Sequence, residues 1–427
     1  MRLTFAGGAA GTTGARYLLE TPDAKVLVGC GLFAGPEARW RRNFSPGPAE
    51  LHEADAVVLP SAGLGHAGFL PQLVAEGWHG PVFATPGTAA LLPIVLSDAA
   101  QQFEEDADAN QGCEPGPAAP PFRAEDVARA LALVRPVEFG SPRRLAGAEF
   151  ELGRAGGRLG AAWTAVRAGG RSVVFAGPLG AADHALLRAP DPRPSCDALV
   201  LATPRSPGGD HRAGRFAAAV HRAVRRGGSV VVPVSVLGAT ELLTLLHDLV
   251  ATREIPPLPV VVDAETATGV HERAAAELCR DARVAVPETL VSRVSDEPSI
   301  ILAGFATADA GRVLRHLAAL LPDPRTGVVL PGAPEPGTRA AQLADGARHL
   351  KIHGRYVPVR AEVTALGAPG GFAATAEALA WASAAPPVET AFVVEGRPDA
   401  AHAFAKELHA EAGWCAVVPE DGERVLC

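Results

Sequence analysis

Short runs of β-branched and aliphatic residues alternate along this chain with longer stretches in which apolar positions recur at helical spacing, the pattern of a layered α/β protein. The runs predict strands over 25–28, 56–59, 82–84, 172–175, 198–201, 229–234, 260–262, 299–302, 327–330, 357–363 and 391–394. Helical periodicity predicts helices over 69–76, 88–103, 124–133, 212–225, 239–252, 310–321, 374–384 and 399–412. The punctuation agrees: Gly227 and Gly228 stop one helix ahead of a buried strand, and Pro207, Gly208 and Gly209 open the stretch before it. The acidic segment 104–121, with Gly and Pro inside it, predicts a loop.

Composition narrows the class. A chain of 427 residues, 48% apolar and 20% charged, is globular and long enough for one large core or several ordinary ones. A net charge of −8 argues against a broad basic surface for gripping a polyanion, so long RNA is not favoured as a partner. The cysteines Cys30, Cys113, Cys196, Cys279, Cys415 and Cys427 stand singly, which suits neither a zinc knuckle nor a disulfide framework and fits a reduced, cytoplasmic setting. The start of the chain has no basic segment followed by an apolar one. The apolar stretch 230–250 is interrupted by Pro233, Glu241, His247 and Asp248, so no membrane span is expected.

Chemistry enters at the junction after the 56–59 strand, Pro60-Ser61-Ala62-Gly63-Leu64-Gly65-His66-Ala67-Gly68. It resembles the His-x-His-x-Asp-His loop of the metallo-β-lactamase superfamily, with the register set by the aliphatic strand before it and by His-Ala-Gly-x-Leu-Pro at its end. In that register Ser61 and Gly63 stand at histidine positions, Gly65 stands at the aspartate, and only His66 is retained.

From end to end the chain resembles the β-CASP branch of that superfamily, the RNA-processing nucleases. Gly29 stands where Leu-Leu-Asp-Cys-Gly has its Asp. In Ala155-Gly156-Gly157-Arg158 a metal histidine becomes Gly157, and in Phe175-Ala176-Gly177-Pro178 the bridging aspartate becomes Pro178. The strand ending in the acidic motif A ends here in Thr203, the motif B histidine corresponds to Phe372, and the motif C histidine to Glu395. The resemblance implies an αββα metallo-β-lactamase sandwich with an inserted α/β β-CASP cap. On it, 1–195 form the first part of the sandwich domain, 196–345 the cap, and 346–427 the completion of the sandwich.

The nuclease reaction that the family implies needs two cations held by imidazoles and carboxylates. Gly, Pro and Phe side chains offer no lone pair, and His66 with Glu395 makes two donors where a catalytic zinc needs about three. The expectation is therefore a pseudoenzyme: no metal, no cofactor and no catalytic residues of the family type. His66 reads as a structural residue hydrogen-bonding within its old loop, and Glu395 as a pocket carboxylate paired with Arg158 or Arg205. The glycine-rich 7–14 segment lacks Gly-Lys-Ser/Thr and reads as a tight turn, and the basic stretch Arg39 to Arg42 as a solvated face with Trp40 turned inward.

Three functions are compatible with this pattern. The first, which the resemblance to the β-CASP family implies, is a non-catalytic partner of an active paralogue, the part that the family's non-catalytic subunits play in eukaryotic pre-mRNA cleavage, or a homodimer. The second is binding of a small molecule or an RNA end in the vacated cleft, with Arg158, Arg205 and His211 as anion contacts. The third is a metal-independent enzyme built on His66, Glu395 or Thr203. Ser61, Thr203 and Ser206 qualify as nucleophiles only with a base beside them, and the sequence displays none.

Overall fold

Strands that are apolar on both faces need cover on both faces, and this chain supplies it with three sheets and their helices. The computed structural model describes residues 1–9, 11–45, 47–109, 120–184, 187–205, 212–263, 290–291, 297–367 and 371–427. The first seven-stranded sheet runs Arg424–Leu426, Arg2–Gly7, Arg16–Glu20, Lys25–Val28, Ala56–Val58, Val82–Ala84, Val134–Pro136. The second runs Ala416–Val417, Thr390–Val394, Ala198–Ala202, Arg171–Ala176, Ala162–Ala168, Ala148–Arg154, Arg143–Leu145.

These two sheets face each other across a core that includes Phe5, Tyr17, Val58, Phe150, Phe175 and Phe392. Outside the first sheet pack the helices Leu70–Ala75, Pro86–Ala109 and Ala124–Ala132, through Leu73, Leu92, Leu96 and Val127. Outside the second pack Thr375–Ser383 and Pro398–Ala412, through Leu379, Phe404 and Leu408. The result is the αββα sandwich that the resemblance implies. The cap is a parallel six-stranded sheet ordered Leu290–Val291, Val260–Asp263, Ile300–Ala303, Val230–Pro233, Gly327–Leu330, Glu362–Ala365, with apolar clusters on both faces. Among the described residues no helix is long and apolar enough to cross a membrane.

Several local expectations change. The helix Pro86–Ala109 runs through the first part of the segment read as a loop. Its extra turn is held by the cap, where Glu105 pairs with Arg312 and Arg315 and Asp106 accepts the Gly311 N–H at 2.7 Å. The stretch 357–363 is not one strand. Arg355–Pro358 pairs with His349–Ile352, and Glu362–Ala365 joins the cap sheet beside Gly327–Leu330. Ala198–Ala202 joins the second seven-stranded sheet and Glu362–Ala365 the six-stranded one. Helix 310–321 forms only over Val313–Leu320.

Strand register then brings two distant residues together. Ala198–Ala202 and Thr390–Val394 are parallel, with Ala202 beside Val394, so the residues that leave the two strands, Thr203 and Glu395, emerge side by side.

Candidate functional site

The loop after the Ala56–Val58 strand closes on itself before it meets anything else. The Gly63 N–H donates to Ser61 Oγ at 3.3 Å, and the His66 and Ala67 N–H groups return to the Gly63 carbonyl at 2.8 and 2.9 Å. This fold-back brings His66 Nδ1 to 2.7 Å from Ser61 Oγ. The other ring nitrogen, Nε2, lies 2.9 Å from Glu395 Oε2, a carboxylate delivered by a strand of the opposite sheet.

Glu395 is buried, with the Tyr17 hydroxyl donating to its Oε1 at 3.4 Å and Arg205 Nη2 at 3.8 Å from its Oε2. Burial alone pushes this carboxyl up, but the His66 imidazole, Arg205 and Tyr17 together hold it below the ordinary carboxylate range. An ionised Glu395 takes the Nε2 proton in hydrogen bond, so in the neutral ring Nδ1 is the acceptor and Ser61 the donor. The backbone of Glu395 is left-handed at φ +52°, uncommon for a residue with a Cβ. Its N–H is tied to the Gly8 carbonyl at 2.8 Å, and a side chain on the following Gly396 would run into Thr203.

Ser61 and His66 line a cavity of about 250 Å³ between the sandwich and the cap; Glu395 sits behind the imidazole and does not line it. Leu32, Phe33, Val95 and Phe103 form an apolar wall, and Phe305 to Thr307 of the cap face it. Arg158 and Arg205 stand at the Phe372 ring, their guanidinium carbons 5.6 and 5.5 Å from its centroid. Burial lowers the Arg205 pKa while Glu395 raises it. Arg158 borders the Ser61 loop: a methyl at Gly63 would lie 3.5 Å from Ser61 Oγ and 3.9 Å from Arg158 Nη1.

The remaining candidates divide. Gly63, Gly65, Pro178 and Phe372 line the cavity. Thr203 is buried with its hydroxyl donated to the Val394 carbonyl at 2.9 Å, and it takes no part in the His66 cluster. At Gly29 φ is +76° and a Cβ would lie 2.7 Å from the Ala15 carbonyl oxygen; at Gly157 φ is +55° and a Cβ would meet the Phe372 ring at 3.0 Å. His211 and Ser206 lie outside the described residues. Of the two arginines expected beside Glu395, Arg205 pairs with it at 3.8 Å and Arg158 does not, while His66 at 2.9 Å and the Tyr17 hydroxyl at 3.4 Å are closer. The imidazole that stands 2.7 Å from Ser61 Oγ is a neighbour the sequence did not display. In the basic stretch Arg41 pairs with Glu37, Arg42 with Asp421, and Trp40 packs on Phe44 and Phe103. Sequence reasoning missed Tyr17; the available signal was its place in an apolar strand directly after the Gly-rich turn.

The chain is 32% identical to Ribonuclease TTHA0252 of Thermus thermophilus, an alignment covering 91% of this chain and 92% of that protein. It belongs to the β-CASP family of metallo-β-lactamase-fold proteins. Residues 239–343 match the Beta-Casp domain, which lies within the cap described above. Transcription termination factor FttA of Methanothermobacter thermautotrophicus is 26% identical over 82% of this chain, and the match spans 59% of that factor. A protein of unknown function from Enterococcus faecalis V583 shares the fold over 100% of this chain and 99% of its own at a TM-score of 0.50 and 12% identity.

The cations of β-CASP nucleases do not fit the donor set. Among the described residues no three His, Cys, Asp or Glu side chains converge as a metal site. Both nitrogens of His66 are engaged by Ser61 and Glu395, and Gly29 and Gly157 have no room for a ligand side chain without movement of the Ala15 backbone or of Phe372.

Proposed function

We propose that this β-CASP protein performs no metal-dependent phosphodiester hydrolysis and that its cleft holds a small molecule with an apolar body and an anionic group. The observation that carries the reading is the closed Ser61–His66–Glu395 cluster on the wall of an apolar cavity flanked by Arg158 and Arg205. Two imidazole nitrogens already in hydrogen bonds offer no lone pair to a cation, while two guanidinium groups beside an aromatic ring suit a carboxylate or phosphate.

Partnership with an active paralogue, or a homodimer, is the second reading, and it draws its support from the family relationship. The exposed large apolar residues among those described, Tyr356, Val417 and Leu426, lie on strands of three different sheets, so the cavity reading carries more. A reduced cytoplasmic setting belongs to the same proposal and is supported by free Cys30 and Cys196 in the core.

Metal analysis with a thermal-shift panel tests it. Purified protein should carry substoichiometric zinc and manganese, melt unchanged in EDTA, and be stabilised by medium-chain carboxylates or nucleoside monophosphates. Two equivalents of metal retained per chain, or no shift with either ligand class, would overturn it.

A further inference from the structure

Ser61 lines the cavity with a base held against it, and that base is oriented from behind. The sequence of groups is hydroxyl, imidazole, carboxylate: Ser61 Oγ to His66 Nδ1 at 2.7 Å and His66 Nε2 to Glu395 Oε2 at 2.9 Å, with Tyr17 holding the second carboxylate oxygen. Hydroxyl and carboxylate approach opposite nitrogens of one ring, the geometry in which a base can accept a proton while its charge is balanced. Only the hydroxyl and the imidazole reach the cavity. Glu395 keeps a left-handed backbone at φ +52°, a strained conformation concentrated at functional sites.

We propose that Ser61, His66 and Glu395 form a metal-independent nucleophilic relay that hydrolyses a carboxylic ester with an apolar acyl part and an anionic alcohol part. The substrate class rests on the cavity reading above; the relay itself does not. The acyl chain lies along Leu32, Phe33, Val95 and Phe103, and the anionic alcohol faces Arg158 and Arg205.

In the first half-reaction Ser61 Oγ bonds to the ester carbonyl carbon and its proton passes to His66 Nδ1. The carbonyl electron pair moves onto oxygen, on the side where Arg158 borders Gly63. Collapse breaks the bond to the alcohol oxygen, which leaves with the proton from Nδ1. In the second half a water gives its proton to Nδ1 and its oxygen bonds to the acyl carbon. The carbon–Oγ bond breaks and Ser61 regains its proton. Ester and water become acid and alcohol, with no metal, oxidant or reductant consumed. Glu395 is a positioning residue: it keeps the Nε2 proton in place and balances the imidazolium.

The test uses the full chain, diisopropyl fluorophosphate and 4-nitrophenyl butyrate, in EDTA. The wild type should gain one phosphoryl adduct, mapped to Ser61, and release 4-nitrophenol with a burst matching the labelled fraction. Ser61→Ala, with its melting temperature checked against wild type, should take no adduct. His66→Gln should slow labelling by about 10²-fold or more; should it fail to fold, wild type and Ser61→Ala decide. A folded wild type that takes no label, or a label that persists in Ser61→Ala, overturns the relay. Decanoate binding to Ser61→Ala separates the two ideas. Binding without wild-type labelling leaves the cavity reading and removes the relay, and labelling without binding does the reverse.

Discussion

His66 shows how far a residue's role depends on what stands beside it. As a type it is a metal ligand, a base or a hydrogen-bonding residue; here Ser61 and Glu395 engage both of its ring nitrogens. The pairing sets a pH signature. Glu395 has its folded pKa depressed below 4.5, so its stabilisation is present above that value and is lost as pH falls through the folded pKa. Glu395→Gln, which keeps the shape and removes the charge, should therefore be less stable than wild type at pH 7, with the gap closing as the pH is lowered below about 4, read from urea midpoints. A gap that stays constant with pH would mean the carboxylate charge contributes nothing.

At the scale of the element, the helix Pro86–Ala109 connects sandwich to cap. Asp98, Gln102, Glu105 and Asp106 recur at intervals of three or four residues or adjoin one another, which puts them on the side facing Arg312, Arg315 and Gly311. The acidic end has the composition of a solvated loop, yet its partners lie some two hundred residues on, in the cap. Burial, only partly offset by the Gly311 N–H, raises Asp106 to about 6. The folded pKa exceeds the unfolded one, so the carboxyl favours folding below about 4 and costs stability as pH rises through 6. Asp106→Asn keeps an acceptor for Gly311 without the charge. It should be more stable than wild type at pH 8 by up to about 3 kcal/mol, with the gain vanishing near pH 4, measured by denaturant titration at both values.

For the whole molecule, the site exists only where two bodies meet. Phe305 of the cap packs on apolar clusters of both parts, its ring 5.6 Å from Phe103, and Arg312 reaches Asp98 at 3.6 Å with both side chains 5% exposed. Arg312→Ala would leave Asp98 buried without its cation and should cost about 3–5 kcal/mol. Because the same contact borders the cavity, it should also weaken decanoate binding in the thermal-shift assay. Full stability together with unchanged binding would show that the cap docks without this pair.

The sequence by itself determined the fold and the donor inventory. Runs buried on both faces, such as Ala198–Ala202, read as unbroken apolar segments, and whether a side chain has a lone pair depends on residue type alone, so Gly157, Pro178 and Phe372 were legible as non-ligands. Strands with a mixed pattern, such as Ala148–Arg154, were not legible, because their regularity comes from antiparallel neighbours rather than from their own composition. Only the tertiary structure decided what the surviving residues do. Glu395 lies 329 positions from His66, and no local periodicity encodes that distance. The two meet because Glu395 follows a strand of one sheet, the loop and helical turn that carry His66 follow a strand of the other, and the sheets face each other, so a hydrogen bond of 2.9 Å is set by sheet order, register and the fold-back of the loop.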